Sequence, residues 1–550
     1  MTEPAPIRAL ADRYWERLIE LEPMLGTESG DERYDDRLED PSPDGRAAAE
    51  AAHRAALTEL ETIERSGLGR SDRGTADVLE AIAARLLSSI EDRVDMLQVA
   101  SHFWGPSQTL AEMASLQLAD TPERLERYVA RLRAIPGYLI SWGDIAREGI
   151  GAGVTSPVVV AERAVAQVER LVAIAPEDSP ALTPIPESDA AGRERVSGVI
   201  RDVVNPAYEG FLATLRDYLP HATQTIGVSA LPGGDQLYAS QVKAWTTVPL
   251  DPTEVHRLGR ERFEAIQEER RELAVTLGYR DGAEAITAHR ASGDNTPASP
   301  EAYVELARDQ VRRSWEAAPQ WFGRLPRANC EVRPVEPYRE ADMAGAFYYP
   351  PTEDGTRPGV YYINTFDLAS RDIHQLASIT YHEANPGHHF QLALEIEMED
   401  RPALRRFGGI LAGSAFCEGW GLYSERLADE FGLYLDGWER LGMLENQAHR
   451  AARLITDTGI HALGWTREQA VAVLEEGGLP HTDALIEVDR YIALPGQALS
   501  YMIGMIEIED ARAKVQAREG SAFSLRGFHD RVLALGELPL PAFRREMAEA

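Results

Sequence analysis

The stretch YHEANPGHH, residues 381–389, places the tightest constraint on the fold of this 550-residue chain. It begins like the helical pattern His-Glu-x-x-His, in which two histidines four residues apart bind a metal and the glutamate acts as a base. Here Pro386 stands at the place of the second histidine. Proline has no N–H and its ring clashes with the carbonyl four residues earlier, so one continuous helix through this stretch is excluded. The sequence predicts a helix ending near Glu383, a bulge, and a second helix beginning near His388.

Such a bulge would return His388 to the position of the second ligand beside His382, with Glu383 kept next to the first ligand. Catalytic zinc has three protein ligands and one open position, so a third ligand is expected from a nearby helix. The stretch FCEGWGLYSE, residues 416–425, offers Glu418 for this role, and its Gly419 and Gly421 would let a neighbouring main chain approach closely. We predict one zinc ion per chain, bound by His382, His388 and Glu418.

Two alternatives to this ligand set stay open. His389 is the alternative to His388. Glu425 lies seven residues after Glu418, on the same helix face, so it could be the ligand, a partner that supports a ligand, or a surface charge. Cys417 is expected to be a small core residue.

Outside this motif, helical periodicity dominates the sequence. Asp251 and Ser299 each precede a proline and a glutamate at the positions that begin a helix. Runs of β-branched and aromatic residues at 330–335, 345–349 and 360–364 predict a small sheet. We therefore expect a mainly α fold. We expect a helical N-terminal region, 1–295, that forms part of a cleft and a catalytic region, 296–550, as parts of one integrated structural unit.

Composition excludes several classes of function. The net charge of −33 repels phosphate backbones and anionic lipid, so neither a nucleic-acid nor a membrane partner is expected. Two cysteines are too few for a disulfide framework or a cysteine-rich zinc module. The first residues have no apolar signal region, and no continuous apolar span follows, so a cytoplasmic location is predicted. The oligomeric state is left open.

Beyond single motifs, the chain resembles the bacterial domain-of-unknown-function 885 family, which is regarded as zinc-metallopeptidase-like and related to the gluzincins. The resemblance is carried by the stretches 11–15, 34–38, 245–250, 348–351, 357–365, 381–389, 418–420, 457–467 and 495–501. It implies a zincin-like helical fold with a small sheet next to the metal-binding helices and a deep cleft with the metal at its floor.

The resemblance also suggests residues for the reaction. Tyr501 and His461 lie in matching segments and are candidate donors to the oxyanion of the reaction. Asp457 lies four residues before His461 and could bind it or a zinc-bound histidine.

Substrate contacts are expected from two further parts of the matching segments. The stretch 359–365, with Tyr361, Tyr362 and Asn364, is the expected edge strand that pairs with an extended peptide. Arg357 or Arg490 could receive a substrate carboxylate, and Gln497 is a further candidate contact.

Together these features predict a zinc-dependent hydrolase of short peptides. Glu383 would take a proton from the metal-activated water and pass it to the leaving amine. Two alternatives are a metal-dependent enzyme that acts on a non-peptide metabolite and a non-catalytic helical metal-binding protein.

Overall fold

Helices form most of the chain in the computed structural model, which describes residues 5–335, 340, 345–355 and 357–549. The helices of these residues, in chain order, are α1 (Pro6–Leu21), α2 (Pro23–Ser29), α3 (Pro43–Glu61), α4 (Arg70–Glu91), α5 (Asp95–Gln98), α6 (Thr109–Leu116), α7 (Pro122–Ala152), α8 (Val158–Ala173), α9 (Ala190–Val199), α10 (Asn205–Tyr218), α11 (Gly234–Thr246), α12 (Pro252–Thr276), α13 (Gly282–Ser292), α14 (Pro300–Ala317), α15 (Ile373–Glu383), α16 (His388–Ile396), α17 (Ala403–Phe407), α18 (Ala415–Glu430), α19 (Gly437–His461), α20 (Arg467–Glu476), α21 (His481–Ala493), α22 (Ser500–Glu519), α23 (Leu525–Leu535) and α24 (Leu540–Glu549). The strands are β1 (Cys330–Pro334), β2 (Ala346–Tyr349) and β3 (Gly359–Ile363). The predicted mainly α fold with a small sheet is confirmed.

The residues before α12 and α14 explain where these two helices begin. The Asp251 carboxylate accepts hydrogen bonds from the main-chain N–H groups of Thr253 and Glu254, and α12 begins at Pro252. The Ser299 hydroxyl accepts from the N–H of Ala302, and α14 begins at Pro300. Each cap satisfies main-chain donors that the first turn of a helix leaves open, as the sequence predicted.

The chain divides into two compact units, each described by itself. The first consists of Met1–Ile63 and Ala83–Leu237, and the second of Glu64–Ile82 and Tyr238–Ala550. The predicted boundary between residues 295 and 296 lies inside the second unit. In the first unit, α7 and α8 pack against α10. Their buried faces meet in an aromatic and aliphatic core that includes Tyr128, Trp142, Tyr208, Phe211 and Tyr218.

In the second unit, α19 is the central helix. It packs against α12, α15, α20 and α21, and α18 packs against α15 and α22. Most residues of α19 are buried, including several polar ones, so this helix carries polar groups through the interior. The two helices next to the Pro-Gly bulge, α15 and α16, lie between α18 and the sheet.

The sheet has the strand order β1-β3-β2, with β3 parallel to β1 and antiparallel to β2. All five residues of β3 are buried, which is typical of a central strand. The prediction that 359–365 forms the edge strand is therefore wrong, because β3 is hydrogen-bonded on both sides and offers no free edge to a peptide. Within the described residues, β1 and β2 are the edges of this sheet.

Candidate metal centre

The helix break lies where the proline predicts it. Helix α15 ends at Glu383, and α16 begins at His388. Pro386, which follows a cis peptide bond, accepts a hydrogen bond from the indole N–H of Trp420 at 2.8 Å. Gly387 lies directly against α15, because a Cβ at this position would come within 1.8 Å of the His382 carbonyl oxygen. The tight reversal therefore needs glycine, and it brings the first residue of α16 back over the last turn of α15.

This reversal brings two imidazoles together with a carboxylate from α18. The Glu418 Oε2 atom lies 3.4 Å from His382 Nε2 and 3.5 Å from His388 Nε2. All three potential ligand atoms lie within 4.8 Å of one another. Ligands bound at about 2.0–2.1 Å to a tetrahedral zinc ion are roughly 3.3–3.4 Å apart, so the spacing suits a shared ion.

Gly421 makes room for both imidazoles. A Cβ built on it would lie 2.8 Å from His382 Nε2 and 3.0 Å from His388 Cε1. The sequence indicated that Gly419 and Gly421 would let a neighbouring main chain approach. Only Gly419 does so, with its Cβ position 2.3 Å from the main-chain carbon of Gly504 on α22. The main chain of α18 is therefore close to α22 on one side and to the two histidines on the other.

Glu425 contacts the Nδ1 side of the His382 ring, away from the Nε2 atom that faces Glu418. Its Oε1 atom lies 2.9 Å from His382 Nδ1, and its Oε2 atom accepts hydrogen bonds from the Ser378 hydroxyl and the Gln447 amide. A carboxylate on Nδ1 fixes the ring orientation and leaves Nε2 for a metal. Burial alone would lower the pKa of His382, but Glu418 and Glu425 outweigh it and raise that pKa to about 9. The centre is therefore electrostatically suited to a cation.

Cys417 supports the other imidazole. Its Sγ atom lies 3.4 Å from His388 Nδ1, and its thiol is hydrogen-bonded to the buried carboxyl of Glu537. Burial raises the pKa of Cys417 well above its ordinary value, so the thiol is neutral. Cys417 is a buried residue, as predicted, but it also orients a candidate ligand.

Glu383, the predicted base, is at the end of α15 next to the two imidazoles. Burial raises its pKa, and the positive potential of His388 and His382 opposes that rise. In the described part of the chain its carboxylate accepts no hydrogen bond, whereas Glu418 and Glu425 are both engaged. A raised pKa and an unoccupied carboxylate are the properties of a group that exchanges protons.

His389 is turned away from this centre. Its Nε2–H donates to the Ala328 carbonyl at 3.1 Å, and its Nδ1 accepts from the Tyr348 hydroxyl at 2.8 Å. Burial lowers the pKa of His389 to about 4, which keeps the ring neutral. Both ring nitrogens are used for structure, so His388 rather than His389 lies in the candidate ligand set.

Tyr501 does lie beside the centre. Its ring is stacked near that of His382, with centroids 6.2 Å apart and an interplanar angle of 24°. The Arg490 Nη2 atom donates to the Tyr501 hydroxyl at 3.1 Å and to Gln497 Oε1 at 2.9 Å. Because the phenol oxygen accepts from Arg490, its own proton is left to be donated. The structure thus brings Tyr501, Arg490 and Gln497 together.

The other predicted site residues lie elsewhere. His461 is fully buried and donates from Nε2 to the Tyr491 carbonyl at 2.9 Å, and it is not in the described group of candidate ligands. Asp457 accepts from the Tyr238 hydroxyl at 2.6 Å and from the Gly496 N–H at 3.1 Å, not from a histidine. The predicted roles, oxyanion donor for His461 and partner of a histidine for Asp457, are therefore replaced by structural ones.

The predicted substrate contacts on β3 are also structural. Tyr361 is fully buried with its hydroxyl 3.3 Å from that of Thr380, and the Tyr362 ring is stacked on Phe347. The Asn364 side chain donates to the Glu340 carbonyl and accepts from the Phe366 N–H. Arg357 lies in a turn, where its N–H donates to the Thr352 hydroxyl. A central strand directs its side chains into the packed layers on both faces, which explains the positions of Tyr361 and Tyr362 on β3.

Replacing Asp457 by Asn should change the pH dependence of stability. Burial raises the pKa of Asp457 to about 7 in the folded chain, against about 3.9 in an unfolded one. The folded state therefore binds this proton more tightly than the unfolded state does. The stability that the protonated carboxyl contributes is complete below about pH 4 and is lost as the pH rises through 7. The free energy of unfolding of Asp457→Asn relative to the parent should rise by about 2–3 kcal/mol between pH 5 and 8.

Denaturant unfolding of both proteins at several pH values measures this difference, with Asp294→Asn, at an exposed position, as the matched control. A difference that is constant with pH would contradict a protonated Asp457 in the folded chain.

Several supporting residues were not predicted from the sequence. Ser378 lies four residues before His382, so helical spacing could have found it. Gln447 and Arg450, which lie near Glu425, come from α19, and Glu537 comes from a position far along the chain. No local pattern links these residues to the motif.

The similarity of this chain to known proteins extends over nearly its whole length. The family model described as "Bacterial protein of unknown function (DUF885)" matches residues 23–547. A crystal structure of "the putative lipoprotein from Colwellia psychrerythraea" is 26% identical with a TM-score of 0.92, covering 99% of this chain and 98% of that one. "A putative lipoprotein of unknown function from Shewanella oneidensis" is 20% identical with a TM-score of 0.73, covering 98% and 99%, and shows the fold alone. Among curated proteins there is no match. None of the helices in the described residues is long and apolar enough to cross a bilayer.

Proposed function

The chain belongs to the bacterial family of unknown function DUF885, and for this member we propose a zinc-dependent hydrolase that cleaves peptide or amide bonds of short peptides. The observation that carries the proposal is the convergence of His382, His388 and Glu418, whose potential ligand atoms lie within 4.8 Å of one another, with both distances from Glu418 Oε2 at the spacing of tetrahedral ligands. Two imidazoles and a carboxylate are a ligand set of catalytic zinc sites, which leave the fourth position open.

The residues present fit the ion in two further respects. Gly421 leaves the space that the two imidazoles occupy, and a Cβ there would collide with both. Glu425 and Cys417 hold the Nδ1 atoms of His382 and His388, so that each Nε2 is directed toward the shared position. Support of this kind fixes the tautomer and orientation of metal-binding histidines. A bound zinc ion supplies Lewis acidity, which lowers the pKa of coordinated water to about 7 and polarises a carbonyl.

The chain's own residues supply the remaining functions. Glu383, with a pKa raised by burial and a carboxylate not engaged by described residues, is the group that takes a proton and returns it to the leaving amine. Tyr501 donates its hydroxyl proton to the carbonyl oxygen as negative charge develops there, since Arg490 already occupies the phenol oxygen as donor. His461 has no part in this proposal.

The relation to the gluzincins, with a zincin-like arrangement and a cleft that has the metal at its floor, is part of the same proposal. The cytoplasmic location predicted from the sequence also stays a prediction. Both similar structures carry the name "putative lipoprotein", which makes fractionation of the producing cell the relevant measurement.

The proposal is tested by metal analysis together with a peptide screen. We expect one equivalent of zinc per chain after dialysis, and metal-dependent cleavage in a library of dipeptides to pentapeptides. The same protein after treatment with a chelator should be inactive and should recover on addition of zinc. Bound zinc with no cleavage of any peptide or peptide-like amide would favour an enzyme that acts on a non-peptide metabolite. Absence of bound zinc would contradict the proposal.

A further inference from the structure

The Nδ1 atom of His388 faces a thiol and not a carboxylate. The Cys417 Sγ atom lies 3.4 Å from this nitrogen. The equivalent atom of His382 lies 2.9 Å from an oxygen of Glu425 instead. A carboxylate only accepts hydrogen bonds, but a thiol has one proton of its own and can contact a ring nitrogen as donor or as acceptor. For His388, the direction of the hydrogen bond must therefore be set by a group beyond the thiol.

This direction decides which ring nitrogen of His388 is free. If the thiol donates to Nδ1, a neutral ring has its own proton on Nε2, and that atom cannot bind a metal. If the thiol accepts from the Nδ1–H group, Nε2 keeps its lone pair and can bind. A centre in which His388 Nε2 is a ligand therefore needs a second acceptor, one that takes the proton of Cys417.

Glu537 supplies this acceptor, since its carboxyl is hydrogen-bonded to the Cys417 thiol. Burial and the charge of Glu395 raise the pKa of Glu537 well above its usual range, and the hydrogen bond with the thiol opposes that rise. The same hydrogen bond adds to the effect of burial in raising the pKa of Cys417. These opposite effects are expected when the S–H group donates and the carboxyl accepts. A carboxyl has an oxygen that accepts whether or not it is protonated.

Three neighbours fix the position of Glu537, which lies in the link between α23 and α24 and is 3% exposed. Its main-chain N–H donates to Glu395 Oε1 at 2.9 Å. Its carbonyl accepts from Arg405 Nη2 at 3.5 Å. A Cβ on Gly409 would collide with the Glu537 carboxyl, so the main chain lies directly against that group. The acceptor is thus held by residues outside the candidate ligand set.

We propose that Glu537 is a positioning residue for the metal: by accepting the Cys417 proton, it keeps the proton of His388 on Nδ1 and leaves Nε2 free to bind zinc. Glu537 acts through the thiol and is not a ligand itself. The inference rests on the proposed function for the identity of the ion, and it adds the residue that makes one of the two imidazoles competent to bind. A hydrogen bond that fixes the tautomer of a metal-binding histidine supports the affinity of the whole site.

Zinc affinity, measured by chelator competition on the full-length protein, tests this role. Glu537→Met, which keeps the length of the side chain but has no carboxyl, should weaken zinc binding by about 10- to 100-fold, the range for loss of a group that supports a metal-binding histidine. Cys417→Ala should weaken it by a similar factor. Cys417→Ser, whose hydroxyl can accept from Nδ1 and donate to Glu537, should stay within about threefold of the parent. Glu537→Asp, which withdraws the carboxyl by one methylene, should weaken zinc binding in the same direction and replaces Glu537→Met if that variant does not fold.

A double variant separates positioning from a merely structural role. In the Cys417→Ala background, Glu537→Met should cause no further loss of zinc affinity, because its effect passes through the thiol. Glu395→Gln is the matched control. The Glu395 carboxyl is equally buried, at 3% exposure, but it accepts from the main chain of Glu537 and not from the thiol. This control should keep zinc affinity within about threefold of the parent, well below the loss expected for a supporting group.

The outcomes also separate this inference from the proposed function. Unchanged zinc affinity in Glu537→Met, losses that add in the double variant, or an equal loss in Glu395→Gln would overturn the positioning role and leave the peptidase proposal in place. Zinc affinity that depends on Glu537 through Cys417, in a protein that cleaves no peptide, would support the positioning role, and the peptidase proposal alone would fail. A parent protein that binds no zinc would contradict both.

Discussion

Replacing Glu383 by Gln is expected to lower kcat/KM for peptide hydrolysis by about 10²–10⁴, the range for loss of a positioned general base. Glutamine has nearly the same shape but cannot accept and return a proton. Zinc content should stay at one equivalent, because the three candidate ligand atoms come from His382, His388 and Glu418 and not from Glu383. The variant thus separates the chemistry from the binding of the metal.

Kinetics on the best peptide from the screen, with zinc content measured on the same preparation, check this result. Glu316→Gln is the matched control, since the Glu316 side chain is 64% exposed and far along the chain from the motif. Activity of Glu383→Gln within about threefold of the parent would show that another group transfers the proton, or that the protein is a scaffold that needs no base.

The adjacent histidines should respond in opposite ways to substitution. His388→Ala should weaken zinc binding by about 10²–10³, if the roughly 10–16 kcal/mol of zinc sites is shared among four ligands at 1.4 kcal/mol for each tenfold change. His389→Ala should instead keep the zinc and lower the free energy of unfolding by about 2–4 kcal/mol. That variant leaves the Tyr348 hydroxyl and the Ala328 carbonyl without their partner and opens a cavity in a buried position.

A chelator competition that reports zinc affinity and a denaturant titration of the metal-free proteins measure the two effects separately. Each variant is the control for the other, because the same residue type is truncated at neighbouring positions of α16. Loss of zinc in His389→Ala with retention in His388→Ala would exchange the two assignments.

The local part of this site is accessible to sequence reasoning. The break between Glu383 and His388 follows from the missing N–H and the ring of Pro386, a constraint that no tertiary contact can remove. The choice of Glu418 follows from the need for a third ligand on a nearby helix. For Gly421 the sequence predicts a close approach but not the group that approaches, which is the pair of imidazoles and not a main chain.

The long-range part is not accessible in the same way. Asp457 was placed by its spacing from His461, but its actual partners are Tyr238 and Gly496, which come from distant parts of the chain. The order of strands depends on which strand pairs on both sides, and β3, the predicted edge strand, is in the centre. The run GVYYI at 359–363 has no charged side chain on either face, which is the local signal for a central strand and not for an edge strand.

The position of Gly421 has a consequence for how a substrate could reach the proposed zinc ion. The main chain of α18 lies directly against both imidazoles at this point, so that flank is closed to anything larger than the hydrogen atoms of glycine. An incoming amide must then arrive from another flank. A planar amide has two faces that differ once its neighbours are chiral, and one-sided access presents only one of them. Discrimination between L and D residues next to the cleaved bond would thus be a property of the main chain of a helix, not of any side chain.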